Sequence, residues 1–349
     1  MNNNKKILLS FEEFKRILSS NNLHFVIGAG FNNGVLPLAS DLKKTIKGIT
    51  KIVNSKTSSI TEDFESWMDD MISESEDKVK DEIINSFFEN IKMDLELDNL
   101  ETYDEIVKSL KNSKMDLKLN DLEEINSFIV SLKKLNINKN KGNGNLTQNK
   151  KTYFWTLNYD NLLQKILLKN KMPSYIIDKE GFDENVFNYT VYHDSTKTFI
   201  PTYYIQKIHG NKNEPIIPGR TKYSNFLSDM KIFKGYINMR NLLDNKQGKN
   251  IIFVIGYSFG DKHINEILRD SFNDANIIIN MEFFSNTSNG LVSNILEEEK
   301  DFDNVILERI NKSEVEMDLY SFKTSNVFKT LKNLFSLINN DNKQINERD

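Results

Sequence analysis

The sequence predicts an α/β protein, a parallel sheet with helices on both faces and a helical insertion after the first strand and helix. Three observations carry this. Short β-branched and aromatic runs at 22–30, 153–157, 203–208, 251–255 and 276–280 alternate with stretches of helical periodicity, the pattern of βαβ units feeding a parallel sheet. The runs Leu23-His-Phe-Val-Ile27 and Ile251-Ile-Phe-Val-Ile255 are apolar almost throughout, as strands buried on both faces are. Both end on glycine, at Gly28 and Gly256.

The first strand spans 22–30, and a helix is expected from near Pro37. Between 58 and 135, Val79, Ile83, Ile84, Phe87, Phe88 and Ile91 recur at helical spacing, with Glu, Asp and Lys between them. Residues 48–150 therefore read as a helical insertion. It closes in NINKNKGNGNLTQNKK (136–151), a polar segment without periodicity that is expected to be a mobile loop. Beyond it the alternation resumes with strand 153–157, helix 159–168, strand 203–208, helix 221–243, strand 251–255, helix 261–272 and strand 276–280. The charged tail NNDNKQINERD is expected to fray. Residues 1–47 and 151–340 then form one discontinuous sheet-bearing domain around the insertion.

Composition narrows the function. A chain of 349 residues can bury a core of enzyme size. Its 46 Lys and Arg nearly balance 50 Asp and Glu, so nothing points to nucleic acid or an anionic membrane as partner. The absence of cysteine excludes disulfides, thiol catalysis and cysteine-ligated zinc. The four histidines, His24, His193, His209 and His263, are far apart, so no metal is expected. The start, MNNNKKILLSFEEF, is too short in apolar residues for a signal peptide, and no window approaches a membrane span. The expected location is cytoplasmic.

Doubly wound sheets bind ligands beyond the carboxyl ends of their strands. The residues there are Gly28, Ala29, Gly30, Phe31 and Asn32; Asn158, Tyr159 and Asp160; His209 and Gly210; and the run Gly256, Tyr257, Ser258, Phe259, Gly260, Asp261. Glycines let a backbone approach a pyrophosphate, helix N-termini present unpaired N–H groups, and amides, hydroxyls and carboxylates suit ribose and carboxamide groups. Each piece alone has a plainer reading. Gly28-Ala29-Gly30 can be a tight turn, because Asn33 stands where a full G-x-G-x-x-G would end. Asn158 and Asp160 can be a helix cap with a first-turn acid, and His209 a strand-end histidine bonded to backbone. His263 reads as a partly exposed first-turn residue.

Taken in order, a Gly-Ala-Gly loop, then Thr156-x-Asn158-x-Asp160, then His209-Gly210, then Gly256-x-Ser258 and a strand closing on Asn280, the sequence resembles the sirtuin NAD-binding domain. The stretch VIGYSFGDKHIN (254–265), with KIHG (207–210) and TKYSNF (221–226), is similar to the sirtuin-like proteins of bacterial antiphage defence. The resemblance covers residues 22–50 and 152–285 and skips the insertion. It implies a Rossmann-like fold and NAD+ as the bound and consumed nucleotide. On that pattern Gly28, Ala29 and Gly30 would line the pyrophosphate, and Phe31 and Asn32 would also belong to the cofactor site. Gly256 and Ser258 would touch phosphate or ribose, and Asn280 the adenine-side ribose. Asn158 would orient a water or the nicotinamide ribose, Asp160 would meet the carboxamide, and His209 would act on the ribose hydroxyls as general base.

The chain departs from protein-deacylating sirtuins in three places. It has no four-cysteine zinc module, it carries Leu36-Pro-Leu-Ala-Ser40 where they have Pro-Asp-Phe-Arg, and Asn32 stands where a serine is usual. Without the module that frames an acyl-peptide cleft, the implied activity is an NAD+ glycohydrolase that releases nicotinamide and ADP-ribose and depletes NAD+ in abortive antiphage defence. The alternatives are a protein deacylase or ADP-ribosyltransferase using the same pocket, and a non-catalytic NAD or ADP-ribose-binding module. Control is expected through a homo-oligomer, a separate regulatory protein such as an ATPase, or both. The insertion either supplies those contacts or only covers the sheet.

Overall fold

The computed structural model of the chain describes residues 11–20, 22–32, 35–36, 85, 100–136, 151–172, 174–176, 203–211, 214–215, 230–244, 250–273, 276–283, 306–312, 315–324 and 326–346. In these residues the helices are α1 (Phe11–Ser20), α2 (Tyr103–Asn112), α3 (Asp116–Asn136), α4 (Leu162–Lys169), α5 (Met230–Leu243), α6 (Lys262–Asn273) and α7 (Val327–Asn346). The strands are β1 (Leu23–Ile27), β2 (Thr152–Thr156), β3 (Ser174–Ile176), β4 (Tyr203–Lys207), β5 (Gly210–Asn211), β6 (Glu214–Pro215), β7 (Ile251–Ile255), β8 (Ile277–Phe283), β9 (Ile306–Lys312) and β10 (Val315–Thr324).

Eight strands form one sheet in the order β3-β4-β2-β1-β7-β8-β10-β9, and every pairing is parallel except that of β9 with β10. From β1 the chain builds outward to β2 and β4, then returns to place β7 on the other side of β1 before building outward again through β8 to β10. The strand order therefore reverses between β1 and β7. This is the Rossmann-like α/β fold, with an antiparallel edge strand added.

The strands are central because both their faces are apolar, and each face has its own core. On one face Phe25, Ile27, Phe154, Phe253 and Ile255 pack with residues of α1, α3, α4 and α7; on the other Val26, Trp155, Ile252 and Val254 pack with residues of α5 and α6. Register aligns the aromatic rings. Phe25 pairs with Phe154 and with Phe253 across the ladder and stacks on them at 5.2 and 5.4 Å between centroids. The ring of Phe128 on α3 meets Phe25 edge-on at 5.7 Å and reaches Phe328 and Phe335 of α7 at 5.9 and 6.0 Å. Such pairs add directional attraction to the burial of large rings. α3, which falls within 48–150, is thus a cover of the sheet that shares its core with α1 and α7.

Several boundaries differ from expectation for local reasons. The first strand stops at Ile27, and Ala29–Asn32 is a 3-10 turn. The helix expected at 159–168 starts at Leu162, because Asp160 Oδ1 accepts the Leu162 N–H (2.9 Å) and keeps the preceding residues in a turn. The strand expected at 276–280 runs on to Phe283, since β10 pairs with it from Ile279 to Phe283. β9 and β10 lie beyond the expected strands, and the tail expected to fray is helical through Asn346. The helix near Pro37, the periodic residues 79–91, the loop residues 137–150 and residues 221–229 lie outside the described residues. Among the described residues no helix is long and apolar enough to cross a membrane.

His24 fills a core position on β1. Its ring stacks on Tyr153 at 4.7 Å, Tyr153 stacks on Tyr204 at 4.9 Å, and Trp155 Nε1–H donates to His24 Nδ1 (3.1 Å). Complete burial lowers its pKa to about 3. The unfolded chain therefore binds this proton first, and the stability contributed by neutral His24 is lost as pH falls from about 6.5 toward 3. Denaturant unfolding should show the wild type losing about 1 kcal/mol more than His24→Phe between about pH 7.5 and 5.5. Identical losses in the two proteins would contradict this.

Candidate functional site

At the reversal between β1 and β7 the two strands run into each other. Gly28 N–H donates to Ile255 O and Gly30 N–H to Gly256 O, both at 3.0 Å. A Cβ on Gly28 would lie 2.4 Å from Gly256 O, and one on Gly30 would lie 2.7 Å from Gly256 Cα. Gly256 itself has φ +63°, and a Cβ there would lie 2.3 Å from the carbonyl carbon of Gly30. No other residue fits these positions unmoved. Phe31 N–H turns back to Gly28 O (3.0 Å), and the Phe31 ring is buried edge-on against Phe328 at 5.3 Å. The amides of Gly28, Gly30 and Phe31 thus hold the loop closed, and the ring of Phe31 anchors it in the core.

Asn32, at the end of this turn, is 2 % exposed and bridges to the next loop: its Nδ2 donates to Asp160 Oδ2 (2.9 Å). Asp160 is buried as well, and its Oδ1 starts α4. Lys207, at the end of β4, donates to Tyr159 O (3.0 Å), Asp160 O and Asn161 Oδ1 (2.7 Å), which clamps the same loop from the other side. The Asn158 N–H donates to Thr156 Oγ1 (3.1 Å), and Asn158 is itself buried. Asn32 Oδ1 is buried and accepts no hydrogen bond. Turning the amide over would set this oxygen against the Asp160 carboxylate, acceptor against acceptor, so the orientation is determined by chemistry. Asp160 thus orients Asn32.

Beyond β4, Ile208 N–H continues the ladder to Thr156 O (2.9 Å). Gly210, with φ 76°, then turns the chain into the β5–β6 hairpin. His209 sits at that turn, 7 % exposed, its ring 6.5 Å from that of Tyr159. Its Nε2 lies 2.8 Å from Oδ2 of Asp261, which is fully buried, and the same oxygen accepts from Tyr236 OH (2.7 Å). Asp261 Oδ1 accepts the N–H groups of His263 (3.0 Å) and Ile264 (3.3 Å) and so caps α6. His263 is partly exposed in the first turn of that helix, as its sequence position suggests, with Nδ1 3.7 Å from Glu266 Oε2. Asn280 lies within β8, level with Val254 and two residues short of the level of Gly256, and donates to Glu282 Oε1 (2.9 Å). Ser258 is exposed on the loop after β7.

The structure therefore brings Gly28 and Gly30 against Gly256 and Asn32 against Asp160, and sets Asn158 and His209 on the adjoining strand ends. Tyr236, Glu282 and Lys207 are additions, and Asp261, the last of the strand-end run, gains a role. Asp261 carried a signal, an acid opening a helix just beyond a glycine-ended strand. Tyr236 is one apolar position of a helix and carried none. Among the described residues no group of three His, Cys, Asp or Glu could hold a metal ion.

The chain is a doubly wound α/β domain with a glycine contact at its switch point and buried amides and an imidazole beyond it, the place where such sheets bind ligands. Residues 152–278, from the start of β2 into β8, match the family model of the SIR2-like domain, which supports a sirtuin-like domain for this chain. No curated protein matches the chain. The glycine loop on β1 lies outside the matched segment and enters the site through space, by its contact with Gly256.

That contact is testable. Gly256→Ala should destabilise the protein by about 2 kcal/mol or more, from a left-handed backbone and a clash with Gly30, read as a drop of several degrees in Tm. An unchanged Tm would show that the strands do not meet so closely.

Proposed function

We propose that the chain hydrolyses NAD+ at the nicotinamide–ribose bond, giving nicotinamide and ADP-ribose. SIR2-like domains use NAD+, and the segment from β2 to β8 is similar to them. The observation that carries the reading is the buried, donorless Oδ1 of Asn32 between the glycine loop and Asp160, near the ends of the strands that carry Asn158 and His209. A buried acceptor without a partner costs free energy until a donor arrives. The carboxamide of nicotinamide brings an N–H donor.

The chemistry asks little of the protein. When the C1′–N bond breaks, its electron pair stays on the nicotinamide nitrogen and neutralises the pyridinium, so no acid is needed. The ribose passes through an oxocarbenium-like state, as in other glycosidic cleavages. Water oxygen then bonds to C1′, and its proton goes to the imidazole of His209 acting as general base. Asn158 holds the water or the ribose. The absence of cysteine, and with it of the zinc module that frames a peptide cleft, favours water as acceptor over an acylated protein. The carboxylate of Glu282 beside Asn280, at the end of β8, suits free ribose hydroxyls and repels a 2′-phosphate, which favours NAD+ over NADP+. Depletion of NAD+ in antiphage defence rests on the likeness of residues 254–265, and such an activity needs restraint by self-assembly or a separate protein such as an ATPase.

Purified protein incubated with NAD+ should release nicotinamide and ADP-ribose in equal amounts. His209→Ala and Asn158→Ala should lose at least about 100-fold in rate, the scale of a positioned proton-transfer group, and NADP+ should be the poorer substrate. Consumption only in the presence of an acylated or acceptor protein would favour a deacylase or transferase. Thermal stabilisation by NAD+ without product would favour a binding module.

A further inference from the structure

The geometry points to Asp261 as a positioning residue for His209, one that selects the imidazole tautomer and is itself held in place by a strained loop and by Tyr236. The inference rests on the reading of His209 as the base.

An ionised carboxylate only accepts, so the 2.8 Å contact between Asp261 Oδ2 and His209 Nε2 requires the proton on Nε2. The basic lone pair then belongs to Nδ1, and proton transfer from water or a ribose hydroxyl runs through that nitrogen. A buried carboxylate also stabilises the imidazolium that forms when the proton arrives, the role its counterpart plays in a Ser-His-Asp triad. Asp261 is fully buried, and the groups gathered round it are donors: Tyr236 OH on the same oxygen as His209, and the His263 and Ile264 amides of α6 on the other. Helix N-termini favour negative charge, so a carboxylate at the start of α6 is electrostatically matched to its place.

The loop that delivers Asp261 is built for placement. Phe259, buried to 1 %, has φ 61°, a conformation that costs a bulky residue energy and persists only where its surroundings enforce it. Those surroundings are present. Asn265 Nδ2 donates to Phe259 O (2.8 Å), Tyr257 OH accepts from the Asp261 N–H (3.1 Å), and the same hydroxyl reaches Asn265 Oδ1 (2.9 Å). Gly256, at the start of the loop, is locked against Gly30. The position of Asp261, and through it the ring of His209, is therefore tied to the glycine contact between β1 and β7.

Asp261→Asn separates this role from folding. The asparagine oxygen still accepts from the α6 amides, while its NH2 now donates toward His209 Nε2 and drives the proton to Nδ1. Two measurements decide. In 15N-labelled protein, with His209 assigned by comparison with His209→Ala, the wild-type ring should be protonated on Nε2 and the Asp261→Asn ring on Nδ1. In steady state, Asp261→Asn should lower kcat for NAD+ by roughly 1000-fold or more, with KM changed less than about threefold and Tm nearly unchanged. Tyr236→Phe, which leaves the His209 contact in place, should lower kcat by no more than about tenfold. A wild-type ring protonated on Nδ1, or Asp261→Asn turning over NAD+ at the wild-type rate, overturns the inference. A wild type that binds NAD+ and releases no nicotinamide overturns the functional reading instead, and the tautomer measurement still decides what Asp261 does to the ring.

Discussion

The close contact of Gly28 and Gly30 with Gly256 is the constraint on which the rest of the site depends. Two parallel strands that diverge into separate βα units normally leave a crevice between their loops, and here backbone meets backbone at its floor. With Gly30 N–H on Gly256 O, the 3-10 turn after β1 is joined to the loop after β7. Asn32 hangs from the first of these, and Asp261 from the second. Any side chain at the contact would part both loops, and with them the amide and the imidazole they orient.

Two polar bridges then spread from that floor. Asn32 to Asp160 ties β1 to β2, and His209 to Asp261 ties β4 to β7, so that loops following four different strands share hydrogen bonds among buried groups. Buried polar networks of this kind are worthwhile only when their members are satisfied, and nearly all of these are. The exception is Asn32 Oδ1. A single unsatisfied acceptor inside an otherwise closed network is where a ligand has something to gain. On the face covered by α1, α3, α4 and α7, Phe25, Phe154, Phe253 and Phe128 form a continuous aromatic layer beneath the site and give it a stiff support.

Among the described residues, α2 and α3, the helices between β1 and β2, pack against this layer. A helix with a strong apolar stripe has to bury it somewhere. Phe128 of α3 buries against Phe25 of the sheet and against Phe328 and Phe335 of α7, the helix that follows the last strand. Residues far apart in sequence thus close one core, and α3 acts as part of the sheet's cover.

Much of the fold was legible because parallel strands buried on both faces write themselves as unbroken apolar runs, as Ile251–Ile255 does, and because glycines mark their ends. β9 and β10 were not legible in that way, since an antiparallel edge hairpin alternates apolar with charged residues and is decided by pairing with β8. In the site, sequence alone determined which residues stand beyond the strands: Gly28 to Asn32, Asn158, Asp160, His209 and Gly256. It could not determine their partners, because hydrogen bonds between Asn32 and Asp160, or between His209, Tyr236 and Asp261, join positions whose separation along the chain carries no period. Only the order of strands in the sheet, which sets β7 against β1 and β4 beyond β2, decided that Asp160 orients an amide and that a carboxylate opening α6 holds the histidine.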